Sequence, residues 1–531
     1  MRLVGAAEMR AIDRAAIEGP GGDGHGIPSL DLMARAAAAV AEAARRLAAP
    51  GGRVVVLTGA GNNGGDGWLA ALLLRQAGRE ARVVAVTAPA ELLGDAAAAA
   101  ARAVDGGVPW ALFHADVPVK AGPGDVVVDA LLGTGLARAP GGAFALAIDR
   151  VAEARAGGAR VLAIDIPSGL PADGGPPPGA CIEADLTVTF AFQKRGLVLF
   201  PGAARSGAVE VADIGIPAEA AARVPATAAL LEEAEARAMV PPRAPEAHKG
   251  DAGRLLVVAG SAGKAGAAHL ALTGALRGGA GLVTLAARPE VLGSALAGRP
   301  EAMSLALGPH AALAPGADGS RGGALSAPLD ADDLPALLEA ALVADALLIG
   351  PGIPRGPATG ALILELLARA ARPAVLDADA LNALGVDPVA LKALPAPVIL
   401  TPHPGEMARL CGLTVAEVQA DRLGLASARA EAWGAVVVLK GARTVVAAPG
   451  RLPTVIPTGN PGMATGGTGD VLAGLTGALL SGRLPAFDAA RAAAWVHGAA
   501  GDLVVARTGQ RGLLAGDLGD ALGAIWARWG R

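Results

Sequence analysis

The sequence predicts an α/β protein built from two consecutive units, each a parallel sheet covered by helices. Three observations carry this. Short β-branched runs alternate with glycine-containing loops and Ala/Leu helical stretches, the pattern of repeated βα units. That pattern lapses once, between residues 217 and 245, and then restarts. At 531 residues the chain also exceeds the size at which one hydrophobic core keeps growing.

The first series opens at Arg53 with RVVVLTGAGNNGGDGWLAALLLRQAG, a strand, a glycine loop and a helix. Further strand runs are read at 81–86, 125–129, 160–164 and 186–190, each ending near Gly, Pro or Asp. In open α/β sheets such carboxyl-end loops are where ligands bind. The lapse holds an acidic helical stretch, LLEEAEARAM, leading into PPRAP. The units are therefore placed at 1–224 and 230–531, each long enough to fold alone. The second series reads RLLVVAGS, GLVTLAAR, ADALLIGPG, RPAVLDAD, APVILTPHPGE, AVVVLKGART and RTVVAAPG, then a glycine-rich segment and a helix from Val471. Residues 313–333, rich in Ala, Pro, Gly and Ser, read as a surface loop.

Composition excludes several classes. With 53% hydrophobic residues, only 2% aromatic and no tyrosine, the core must be built from Ala, Val and Leu. A net charge of −4 gives no basic field for nucleic acid and no polybasic patch for a membrane. Cys181 and Cys411 are far apart and lack metal-ligand spacing, so a disulfide framework or zinc site is not expected and a reducing cytoplasm is. Glu8 and Asp13 interrupt the amino-terminal stretch where a signal peptide would need an apolar run.

Three strand-end loops of the first unit carry chemistry: TGAGNNGGDG (58–67), DALLGTG (129–135) and DIPSG (165–169). The first precedes a helix, where backbone N–H groups and the helix dipole suit phosphate, although such a loop is also an ordinary tight turn. Side-chain oxygens of Asn63, Asp129 and Ser168 with backbone carbonyls would suit a monovalent cation. Asp129 and Asp165 can equally be loop caps. These loops, followed by TFxxxKxG at 189–196, resemble the NAD(P)HX epimerase family over about residues 1–216. The resemblance implies a Rossmann-like fold, bound K⁺ and interconversion of the R and S hydrates of NADH and NADPH. It implies nucleotide contacts from Asn62, Asn63, Gly64, Gly65 and Asp66, and from Gly133, Thr134, Gly135, Leu136, Ala137, Arg138 and Ala139. K⁺ would sit on Asn63, Asp129 and Ser168, and Asp165 would serve as substrate contact and acid/base. One segment departs from the family: LDLMARAAAAV has Ala34, Arg35 and Ala37 where the family reads LMENAG.

In the second unit NPGMATGGTGDVLAG (460–474) combines loop glycines 466, 467 and 469 with a helix start and Asp470. That suits phosphoryl transfer, with the carboxylate taking a proton from an attacking hydroxyl and amides stabilising the transferred group; the bland alternative is a helix cap. TPHPGE holds His403 between prolines after a strand, and KGART offers Lys440 and Thr444. A structural histidine and a solvated strand-end lysine are the ordinary alternatives. Together with HKG, GSxGKAGAA, ALRGGAGLV, IGPG and DADALN, these motifs resemble the ADP-dependent NAD(P)HX dehydratase family over about residues 235–531. The resemblance implies a ribokinase-like fold and phosphorylation of the S-hydrate by ADP with Mg²⁺, followed by elimination to NAD(P)H, AMP and phosphate. By position, Ala267, Gly352, His403 and Asp470 would contact the hydrate, and Lys440, Gly441, Ala442, Arg443, Thr444 and Gly469 the adenine nucleotide.

The reading is therefore a bifunctional metabolite-repair enzyme acting on NADHX and NADPHX, with homo-oligomers common in both families. Its rival is a ribokinase-like kinase of a vitamin-precursor alcohol with a non-catalytic nucleotide-binding first unit.

Overall fold

The computed structural model describes residues 1–19, 26–136, 138–308 and 326–531. It divides into two compact units, Arg2–Ala228 and Ala229–Arg531, the second including Met1. The break falls inside the 217–245 window but ahead of its acidic stretch. The strand Ala228–Leu230 pairs with Thr454–Val455, and the helix Glu233–Met239 packs on Ala486–Thr508. No described helix is long and apolar enough to cross a membrane.

The first unit carries a seven-stranded sheet in the order Trp110–Leu112, Ala81–Ala85, Val54–Thr58, Val126–Ala130, Arg160–Ile164, Leu186–Phe190, Ala208–Ala212. Every neighbouring pair is parallel. Val54–Thr58 and Val126–Ala130 are buried at every position, as strands covered on both faces require. The helices Ser29–Leu47, Asn62–Gln76 and Gly94–Asp105 bury one face of the sheet and Ala143–Ala156 the other. The two edge strands, Trp110–Leu112 and Ala208–Ala212, are largely exposed and lack the apolar run that marks a buried strand. The strand order reverses between Val54–Thr58 and Val126–Ala130, so a crevice opens where loops 58–67 and 129–135 leave the sheet.

The second unit's sheet runs Met303–Ala306, Leu282–Ala287, Arg254–Val258, Ala346–Ile349, Ala374–Leu376, Val398–Leu400, Val436–Leu439, Val445–Ala447, Thr454–Val455, Ala228–Leu230. It is parallel as far as Val436–Leu439, which then forms an antiparallel hairpin with Val445–Ala447. KGART is the turn of that hairpin. The switch point lies between Arg254–Val258 and Ala346–Ile349. Helices Ala265–Arg277 and Thr468–Ser481 lie against one face through glycines. A Cβ on Gly274 would meet the Val471 carbonyl oxygen at 2.1 Å, and one on Gly474 the Ala271 carbonyl oxygen at 2.0 Å. Gly278 faces Ala478 and Gly467 faces Leu270, so the two helices run in the same direction and present their amino ends together.

Candidate active sites

The first crevice is a cavity of about 1250 Å³. Its walls include Asn62, Asn63 and Asp66 from the first loop and Gly133, Thr134, Gly135, Leu136, Arg138 and Ala139 from the second, together with Asp165. Ala137 lies outside the described residues. Gly64 and Gly65 face protein instead. A Cβ on Gly64 would meet the Gly59 carbonyl oxygen at 2.1 Å and one on Gly65 the Met33 side chain at 2.8 Å. Their lack of a side chain lets the loop fold tightly beside Asn62, Asn63 and Asp66. Gly67 sets the helix on the sheet, where a Cβ would come within 2.6 Å of the Ala130 methyl.

Behind the cavity wall, Asp129 and Ser168 are fully buried and joined. The Ser168 hydroxyl donates to Asp129 Oδ1 at 2.5 Å, and the Ser168 N–H donates to Oδ2 at 2.7 Å. Leu131 N–H adds a third bond to Asp129 at 3.2 Å, and Asn63 Nδ2 donates to the Leu132 carbonyl at 3.2 Å. No basic side chain among the described residues pairs with Asp129, and burial pushes its carboxyl up to about 6.

Asp165 sits in the left-handed region at φ 61, a conformation Asp tolerates better than most residues. Its Oδ1 accepts from Thr189 Oγ1 at 3.1 Å, from Phe190 N–H at 3.2 Å and from the Lys194 ammonium. Lys194 is wholly buried and also donates to Thr189 Oγ1 at 3.0 Å and the Phe190 carbonyl at 3.1 Å. Asp165 is therefore an ion-paired group facing a cavity, which a simple loop cap would not be.

In the second unit the helix bearing Asp470 begins at Thr468, not at Val471, so Asp470 lies within its first turn. The residue before it, Gly467, has φ 92, and no side chain caps the helix. The amides of the first turn therefore lack intrahelical partners. Burial pushes the Asp470 carboxyl up to about 7, with Asp377 raising it further and Lys440 opposing. Lys440 is not a solvated lysine. It donates to Asp377 Oδ1 at 2.7 Å, lies 3.8 Å from Glu406, and comes within 3.3 Å of where a Cβ on Gly469 would stand.

His403 caps its own helix, Pro404–Cys411. Its Nδ1 accepts from Gly405 N–H at 3.0 Å and Glu406 N–H at 3.3 Å, and its own N–H donates to Glu406 at 2.8 Å. Nδ1 as acceptor leaves the proton on Nε2, which lies 3.5 Å from Glu406 Oε1, and burial holds the ring's pKa below its usual value and favours the neutral imidazole. Gly352, at φ 71, packs where a Cβ would be 3.1 Å from both Ala267 and Lys264. In the hairpin turn Gly441 has φ 137 and Arg443 φ 58. Arg443 donates to the Pro457 carbonyl, and Thr444 to the Gly441 carbonyl at 3.1 Å. Ala442 sits in the turn between them.

Both units match known proteins. A family model described as NAD(P)H-hydrate dehydratase matches residues 255–523, and one described as YjeF-related protein N-terminus matches residues 29–196. A bifunctional NAD(P)H-hydrate repair enzyme of Moorella thermoacetica is 48% identical over 398 residues, 75% of this chain and 72% of that protein. The chain belongs to the bifunctional NAD(P)H-hydrate repair enzyme family. The repair enzyme of Coxiella burnetii is 37% identical over 514 residues, 96% of each chain. A crystal structure of the ADP/ATP-dependent NAD(P)H-hydrate dehydratase of Bacillus subtilis with ATP/Mg²⁺ is 33% identical, with a TM-score of 0.49, covering 57% of this chain and 99% of that one.

Two features of this repair enzyme emerge only in three dimensions. The departing segment turns Leu32, Met33 and Ala36 toward the cavity, while Ala34, Arg35 and Ala37 are not among its lining residues. Arg35 instead donates to the Ile214 carbonyl at 3.1 Å. Several site residues also escaped the sequence reading: Asp13 and Lys194 in the first cavity, and Asp377, Arg422 and Asp379, which pairs with Lys264 and Arg355 at 3.0 Å each, in the second unit. Lys194 and the two aspartates stood inside motifs already noted, whereas Asp13 and Arg422 lie on ordinary amphipathic helices with no local signal. Arg422 donates to the Leu439 and Lys440 carbonyls at 2.9 and 3.1 Å and so pins the KGART turn from below.

Proposed function

We propose that this chain returns hydrated NADH and NADPH to the intact cofactors in two steps. The first unit interconverts the R and S hydrates. The second moves a phosphoryl group from ADP to the hydroxyl of the S-hydrate, and elimination of phosphate then restores the dihydronicotinamide and leaves AMP. The observation that carries the reading is Asp470. It is a largely buried carboxyl in the first turn of a helix whose amides are free, beside Lys440, in a chain of the repair family.

In the second site Asp470 accepts the proton of the attacking hydroxyl, and the Thr468, Gly469 and Asp470 amides meet the charge on the transferred group. Lys440 and the turn 440–444 hold the adenine nucleotide with Gly469. Ala267, Gly352 and His403 orient the hydrate. Mg²⁺ would enter with the ADP phosphates and neutralise their charge. This suits a site where no cluster of three His, Cys, Asp or Glu residues forms an all-protein cage among the described residues. In the first site Asp165, oriented by Lys194, serves as the acid/base of epimerisation. Asn63, Asp129 and Ser168 would hold K⁺; an all-oxygen set with one buried carboxylate that lacks a basic partner fits a monovalent cation, which would supply fixed positive charge beside the nucleotide.

Pure S-hydrate with ADP should yield AMP, phosphate and dihydronicotinamide in equal amounts, followed by chromatography and absorbance. A stable phosphorylated product without dihydronicotinamide would overturn the proposal.

A further inference from the structure

The first cavity holds more ionisable groups than Asp165 and Lys194. Asp13, on the helix Ala6–Glu18, and Asp66, on Asn62–Gln76, line the same cavity. Neither has a basic partner among the described residues. Asp66 is 8% exposed, and its carboxyl makes no hydrogen bond to a described residue although it lines the cavity. The other charged groups on the wall are Arg10, Arg138 and Asp95, of which both arginines are exposed and Asp95 is half-buried.

We propose that Asp13 and Asp66 form a proton-donating carboxyl pair that protonates the leaving hydroxyl of the hydrate, complementary to the Asp165–Lys194 pair that accepts a proton. The inference rests on the reading of the first unit as an epimerase. The charge count supports it: one buried lysine faces three carboxyls and is already bonded to Asp165. Two carboxyls that line one cavity without an ion-pair partner favour their protonated forms, and groups driven apart in this way divide into acid and base. Burial pushes Asp13 up to about 6, with Lys194 opposing and Asp165 adding, and burial with Asp165 and Asp13 raises Asp66 well above the usual carboxylate range. Asp13 is the more open of the two and hands over the proton, while Asp66 stores it.

The chemistry balances without a further reactant. The hydrate's hydroxyl sits on the ring carbon next to nitrogen. The acid pair gives its proton to that hydroxyl, the C–O bond breaks as the nitrogen lone pair moves in, and water leaves a planar cation. Water then adds to the other face, forming a C–O bond, and its proton passes to Asp165. Proton return from Asp165 to the acid pair through water resets the site with the carbon inverted.

The test follows conversion of R-hydrate to S-hydrate by chromatography, without ADP, on the full chain across pH 5–9. Wild type should exceed the spontaneous rate and lose activity on an alkaline limb as the acid pair ionises. Asp13→Asn should lower the rate about 10²- to 10⁴-fold and abolish that limb, and Asp13→Glu should recover part of the rate. An Asp13→Asn variant within threefold of wild type with its alkaline limb intact overturns the proposal. If that variant fails to fold by melting curve, Asp66→Asn decides by the same two readouts. A wild type no faster than the spontaneous reaction removes the epimerase reading and this inference together. Loss of activity in Asp165→Asn alone keeps the reading and removes the inference.

Discussion

Asp470 has a folded-state carboxyl at about 7 against an ordinary value of 3.8, mainly because it is buried. As a base it must be ionised, so dehydration should rise with pH through about 7. Asp470→Asn should lower the rate by about 10²- to 10⁴-fold, measured as dihydronicotinamide recovery from S-hydrate. Stability should move the other way. Between 3.8 and about 7 the folded chain holds a proton that the unfolded chain releases, so wild type loses stability as pH rises through that window. The amide does not titrate and no cap is lost, since Asp470 makes no capping bond. The variant should therefore melt at or above wild type at pH 8, and a clearly lower melting temperature would show that the carboxylate holds the loop. Asp129 gives the converse case. Asp129→Ala strands the Ser168 and Leu131 donors, costing about 1–3 kcal/mol, and should remove the dependence of epimerisation on K⁺. Epimerisation at an unchanged rate in wild type when K⁺ is replaced by choline would contradict the cation assignment.

At the scale of elements, the second site depends on two helices lying close enough to present their amino ends together, which Gly274 and Gly474 permit. Gly474→Ala places a methyl 2.0 Å from the Ala271 carbonyl oxygen, and overpacking of this kind costs about 1–3 kcal/mol. The expected outcome is a lower melting temperature and weaker ADP binding by calorimetry; unchanged values of both would mean that the helix pair does not set the loop. Much of this architecture was readable from the sequence. The runs RLLVVAGS, ADALLIGPG and AVVVLKGART are buried strands, and the loops after them reach the site, because a strand covered on both faces must be continuously apolar. Edge strands such as Ala208–Ala212 escaped because half their side chains meet solvent. The hairpin at 440–444 read as one more βα unit, since periodicity does not reveal strand direction. Asp13 escaped for a related reason: an aspartate on an amphipathic helix is ordinarily solvated, and only the fold brings it into the cavity beside Asp165.

For the whole molecule, the two units each carry their own hydrophobic core. Residues 230–531 expressed alone should therefore fold and keep most of the dehydration of S-hydrate, whereas residues 1–224 alone should keep epimerisation. Loss of dehydration in a natively folded second fragment would place part of that site elsewhere. Joining the activities follows from the chemistry, because the dehydratase uses one epimer and the other would accumulate. The most direct measurement is dihydronicotinamide absorbance after the full chain, K⁺, Mg²⁺ and ADP are added to a mixture of R and S hydrates, over a time short against spontaneous epimerisation. Conversion of the whole mixture is the predicted result. A stop at the initial S fraction would contradict an active first unit, and no rise at all would contradict the repair reading.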